Sequence, residues 1–127
     1  MTNAEKLAKI DELLQKVPSF KCKEGCADCC GPIEMSRLEF YRCIKASGRS
    51  LEEVNRMREK SMAMRDLRCP LLDRRTNRCS VYEVRPAICR IFGTVKELPC
   101  PHGYQPERML DDAAALEILN LVNELGK

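Results

Sequence analysis

The chain has 127 residues, with 22 basic and 19 acidic side chains and a net charge of +3; that length suits one domain, and the balance is too even to imply a nucleic-acid partner. Hydrophobic residues reach 44%, yet no run of roughly 18 or more apolar residues occurs, so no membrane-spanning helix is expected. Trp is absent and aromatics stand at 5%, whereas cysteine appears nine times, which points to thiols rather than large side chains as the means of holding the chain.

Apolar spacing predicts four helices. Leu7, Ile10, Leu13, Leu14 and Val17 recur at helical spacing behind a Thr2-x-x-Glu5 capping box, and Pro18 ends the pattern, giving a first helix over about residues 3–17. Residues 19–35 hold four cysteines with Gly25, Gly31 and Pro32 and lose all apolar period, so they read as a loop built around its thiols. Ser36-x-x-Glu39 opens a second helix over about 37–47, carrying Leu38, Phe40, Tyr41, Cys43 and Ile44, with Gly48 placed to stop it. Ser50-x-x-Glu53 opens a third over about 51–65, through Val54, Met57 and Ser61. From Leu67 to Pro106, five prolines and four cysteines leave room only for short helical turns or small strands. Within that stretch Pro86 is placed as the first residue of a turn, which sets Cys89 one turn along the same face. The last helix, about 111–125, has Leu116, Leu119 and Val122 as apolar positions, an aspartate-rich start and Gly126 to close it. The expected fold is mainly α: one small helical domain over residues 1–127 around an irregular, cysteine-rich metal-binding centre.

The compartment decides how nine thiols are read. The N-terminal segment MTNAEKLAKIDELLQKV has acidic residues at Glu5, Asp11 and Glu12, no continuous apolar stretch and no small-residue cleavage site. A cytoplasmic location is therefore expected, where thiols stay reduced for metals or catalysis, and an odd count of nine cannot all pair within one chain.

Cys22-x3-Cys26-x2-Cys29-Cys30 places four thiols within nine residues, a spacing at which a tight turn can wrap one metal, because soft thiolates bind zinc or iron and sulfur in tetrahedral sets. Neighbouring side chains point to opposite sides of an extended segment and about 100° apart on a helix. Cys29 and Cys30 thus do not both serve one metal in the simple way: one faces a second metal, bridges two, or takes a ligand from the distal half. That half supplies Cys69, Cys79, Cys89 and Cys100, at intervals of 10, 10 and 11 residues. Four plus four thiols serve two four-coordinate sites, or one cluster with thiols to spare. His102, in a loop between two prolines, reads as exposed rather than as a ligand, and Cys43, beside Phe40 and Ile44, reads as a small buried hydrophobe. Arg65, Arg68, Arg74, Arg75, Arg78, Arg85 and Arg90 sit among the distal cysteines. They read as a solvated face or as local compensation for a four-thiolate centre, whose charge is roughly −2.

FKCKEGCADCCG, then CPLLD, then RCSVYEVRPAICRIFG resembles the YkgJ-type cysteine-cluster family, known by its C-x-x-C-x-x-C-C signature and held to chelate zinc or iron. The resemblance covers about residues 20–101. The family's cluster falls on Cys22, Cys26, Cys29 and Cys30, its Cys-Pro box on Cys69 and Pro70, its Cys-x-x-Tyr on Cys79 and Tyr82, and its Arg-Pro-x-x-Cys-Arg on Arg85, Pro86, Cys89 and Arg90. A terminal Cys-Pro fits Cys100 and Pro101, and the first gap is three residues here rather than two. The resemblance implies chelation of zinc or iron by these eight cysteines, and the thiol pool itself leaves room for an iron–sulfur cluster. The resemblance does not imply a reaction.

Some members resemble flagellin lysine N-methylases, which use S-adenosylmethionine. Against that reading, the six glycines are scattered and build no nucleotide cradle. Cys22, Cys26 and Cys29 also match the spacing of radical enzymes, but 127 residues cannot supply the barrel those enzymes need. Two readings remain. In the first the metal is mainly structural, in a binding or accessory domain whose partners are a metal ion and another protein, with no nucleic acid and no membrane. In the second, an iron–sulfur or open-site metal does redox or methyl-transfer-related chemistry.

Overall fold

Hydroxyl caps begin the first three helices of the computed structural model, which describes residues 1–21 and 34–127. In α1 (Asn3–Leu14) Thr2 Oγ1 accepts from Glu5 N at 3.1 Å. Full capping boxes open α2 (Arg37–Ser47) and α3 (Leu51–Ala63), with Ser36 and Ser50 each exchanging bonds with a glutamate one turn on. After the small hairpin of β1 (Leu72–Asp73) and β2 (Arg78–Cys79) comes a 3-10 turn, Tyr82–Val84, then α4 (Ala87–Ile91) and α5 (Asp112–Leu125). The fold is mainly α, as the sequence predicts.

The helix ends differ from their sequence-predicted positions in instructive ways. α1 stops at Leu14 rather than Val17, because the chain tightens into shorter turns ahead of Pro18: Lys16 N donates to Leu13 O and Val17 N to Leu14 O, both at 3.1 Å. α3 stops at Ala63 rather than Arg65, because Arg65 turns left-handed at φ 57. Arg65 N then donates to Met62 O at 3.0 Å and Asp66 N to Ser61 O at 2.7 Å, a Schellman motif with an arginine where glycine is the favoured residue. Replacing Arg65 by Gly is expected to raise stability by about 1 kcal/mol, since a side chain in this region costs that much; a thermal melt checks it. Pro86 is not the first helical residue of α4 but its cap, with ψ at 163°. Gly126 does close α5, although at φ −88 its backbone is not left-handed. A Cβ there would overlap the Ser36 hydroxyl, so glycine is needed for close approach of the end of α5 to the start of α2.

Among the described residues, two apolar clusters form the interior. The first joins α1, α4 and α5 through Ile10, Leu14, Ala87, Ile91, Val95, Ala115, Ile118 and Val122. Leu116 is 59% exposed and faces away from it, which corrects the stripe read from the sequence. The second joins α2, α3 and the hairpin region through Cys43, Ile44, Val54, Leu71 and Val81. Polar links tie the start of α2 to the first cluster's helices: Leu38 N donates to Gly126 O at 3.0 Å, Arg37 Nη2 to Lys127 O at 2.9 Å, and Arg42 Nη1 meets Asp11 Oδ1 at 2.7 Å.

Candidate metal centre

Cys22, Cys26, Cys29 and Cys30 lie outside the described residues. Cys69, Cys79, Cys89 and Cys100 are half-buried. Such soft sulfur donors, neither sealed in the core nor fully exposed, fit zinc or iron and not a hard cation such as magnesium.

A hairpin brings Cys69 and Cys79 to the same core. β1 and β2 pair antiparallel with Leu72 opposite Cys79, Leu72 N donates to Cys69 O at 3.0 Å, and Ser80 N donates to Leu71 O at 3.2 Å. The turn is made by Asp73, whose Oδ1 accepts from Arg75 N at 2.9 Å, and by Asn77, left-handed at φ 58, as asparagine tolerates better than most residues. The Arg75 N–H holds the Asp73 carboxyl below the usual carboxylate range. Both cysteines pack against the second cluster with Cys43.

Arginines shape the approach to this hairpin. Arg74 Nη1 donates to Cys69 O at 2.7 Å and to Leu72 O at 2.8 Å, so one guanidinium grips both sides of the turn that presents Cys69. Its other nitrogens reach Asp66 Oδ2 at 3.3 Å, and Arg68 Nε reaches Asp66 Oδ1 at 2.9 Å. The Arg68 side chain and backbone, with Arg74, hold the Asp66 carboxyl far below the usual range. Arg85 stacks on the Tyr82 ring at 3.8 Å and donates to Tyr82 O at 3.1 Å. Arg90 donates to Glu83 O at 3.2 Å and Arg85 O at 3.4 Å. These last two therefore brace the backbone leading into α4, through carbonyl oxygens and an aromatic face.

Cys89 stands in the middle of α4, its N–H donating to Pro86 O at 3.0 Å, while Ala87 and Ile91 on either side enter the first cluster. Cys100 lies in a turn closed by Gly103 N to Cys100 O at 3.0 Å. His102 is exposed. Among the described residues no three His, Cys, Asp or Glu side chains gather closely enough to hold a metal.

Cys43 is 1% exposed, with Sγ donating to Val84 O at 3.5 Å. Burial, then the neighbouring Cys79 thiol, pushes its pKa up to about 11 against the partial opposition of Arg42. The small-hydrophobe reading holds. Because the folded value lies above the ordinary 9.0, the stability linked to this thiol is intact below about pH 9 and is lost as pH rises through about 11. Native protein treated with iodoacetamide near neutral pH is expected to leave Cys43 unmodified, since the thiolate is the nucleophile; peptide mass mapping before and after unfolding checks this.

The sequence reading missed Glu39. By sequence it is the local half of a capping box, yet its second carboxylate oxygen accepts from Ala87 N at 2.6 Å, across 48 residues. The only local signal was Pro86, which has no side-chain acceptor with which to cap α4.

No helix of the described residues is long and apolar enough to cross a membrane. No curated protein and no solved structure matches the chain. A family model does, over residues 21–113: the CxxCxxCC family, described as a "Putative zinc- or iron-chelating domain". That span takes in all eight candidate cysteines together with the hairpin and α4, and the chain belongs to this family of cysteine-cluster domains.

Proposed function

We propose that Cys22, Cys26, Cys29, Cys30, Cys69, Cys79, Cys89 and Cys100 hold zinc or iron, and that this metal is mainly structural, in a single cytoplasmic domain with a binding or accessory role. The observation that carries the reading is the division of the interior. Cys69 and Cys79 pack on one small apolar cluster, while Cys89 sits between two residues of the other. Neither cluster contains an aromatic residue among its buried members, so neither has the large contact area that a buried ring adds. A metal drawing thiolates from both would staple them, and small domains commonly take a metal where the core is insufficient.

Elemental analysis and a visible absorption spectrum on protein purified without air test this. One or two zinc ions in a colourless protein support it, since zinc is d10. Iron with acid-labile sulfide and broad visible absorption would overturn the structural reading in favour of an iron–sulfur protein with redox or methyl-transfer-related activity.

A further inference from the structure

We infer that Glu39 is a positioning residue for Cys89, an inference that rests on the reading of Cys89 as a metal ligand. The Glu39 side chain belongs to a residue only 2% exposed. Oε1 accepts from Ser36 N at 3.1 Å and from Ser36 Oγ at 2.8 Å, and Oε2 accepts from Ala87 N at 2.6 Å. A carboxylate this deeply buried is tolerated only where fixed donors satisfy it, so the three donors and the carboxylate hold one another in place.

The consequence falls on α4. A helix of five residues does not stand by itself, because helix nucleation is costly and short segments take their stability from tertiary contacts. Pro86 at its start makes no side-chain cap bond. What sets the position and rotation of α4 is therefore Glu39 at its first N–H, together with Ala87 and Ile91 in the first cluster and the Arg90 bonds to Glu83 O and Arg85 O. Cys89 lies two residues beyond Ala87, so the direction of its sulfur follows from where Glu39 holds that N–H. The contact also spans the interior: α2 contributes Cys43 and Ile44 to the second cluster, and α4 contributes to the first. Glu39 thus fixes, by hydrogen bonds, the same separation that the metal would bridge.

The test uses the full chain loaded with cobalt(II), whose thiolate charge-transfer band reports the sulfur ligands, with chelator competition and thermal melts run alongside. Glu39→Gln keeps size and loses one acceptor oxygen; Ser36→Ala damages the α2 cap and leaves the Ala87 bond; Cys89→Ser removes the sulfur. The expected result is a metal affinity about 10- to 100-fold weaker and an altered band for Glu39→Gln, in the range seen when groups that orient metal ligands are lost. Ser36→Ala is expected to keep the band while losing thermal stability. Cys89→Ser is expected to lose the band together with the metal, since one of the sulfurs that hold it is gone. Should Glu39→Gln not fold, Glu39→Asp carries the same expectation, since it keeps the local cap and shortens the reach to Ala87. If Cys89→Ser alters the band and neither folded Glu39 variant alters band or affinity, the positioning role is overturned and the metal reading stands. Equal changes in Glu39→Gln and Ser36→Ala would overturn it too, as a general loss of capping. A band indifferent to Cys89→Ser would remove Cys89 from the ligand set, and the positioning role with it.

Discussion

Replacing Cys89 by Ser is expected to strip the metal and unfold the protein, and Cys26→Ser is expected to do the same, whereas Cys43→Ala does neither. Structural zinc in small peptides supplies about 10–16 kcal/mol of apparent binding energy, as much as the whole stability of an ordinary domain, about 5–15 kcal/mol. A chain in which a metal staples two clusters with no aromatic among their buried members would have nothing of that size in reserve. Cys43 differs because it is buried, held protonated with a pKa of about 11, and bonded to Val84 O. Its loss removes one sulfur from a packed cluster, at a cost of about 1 kcal/mol. Metal content after gel filtration, with a thermal melt of each variant, checks all three. A Cys26→Ser protein with full metal and native melting would refute the ligand assignment.

The second large effect is expected at Gly93. Its φ of 86 is a conformation that side chains rarely adopt, and a Cβ there would overlap the ring of Phe20. Phe20 lies two residues before Cys22, so its contact with the turn after α4 anchors the chain entering the first cysteine segment. Gly93→Ala is expected to cost about 1–2 kcal/mol in backbone strain and about 1–3 kcal/mol more in displacing the ring. Gly48→Ala separates these contributions, because Gly48 is also left-handed, at φ 71, with nothing within 4 Å of its would-be Cβ. The Gly93 variant is therefore expected to melt several degrees below the Gly48 variant and to lose metal more readily to a chelator. Equal melting of the two would show that the Phe20 contact carries no energy.

Local chemistry was legible wherever its partners were local. Ser36 with Glu39 and Ser50 with Glu53 form the capping boxes that their spacing predicts, because both members of each pair lie within one turn. Gly48 ends α2 in the left-handed conformation, as its position predicts. The small strands allowed between Leu67 and Pro106 exist as a hairpin, and Asp73 and Asn77 are the turn residues that would have located it. In α5 the sequence is apolar around much of the helix, so Leu116, Leu119 and Val122 and the stripe through Ala115, Ile118 and Val122 were both available. Packing against α1 and α4 selects the second, leaving Leu116 outside.

By itself, then, the sequence determined a mainly helical chain, the start of each long helix and the family, since caps, apolar period and motif spacing are properties of short windows. Only the tertiary structure decided which cysteines share a core, which face of α5 is buried, why Gly126 must lack a side chain, and that Glu39 reaches 48 residues along the chain to Ala87. Those are contacts between distant segments, and their energies depend on close packing and on buried donors meeting buried acceptors, neither of which leaves a periodic trace in the chain.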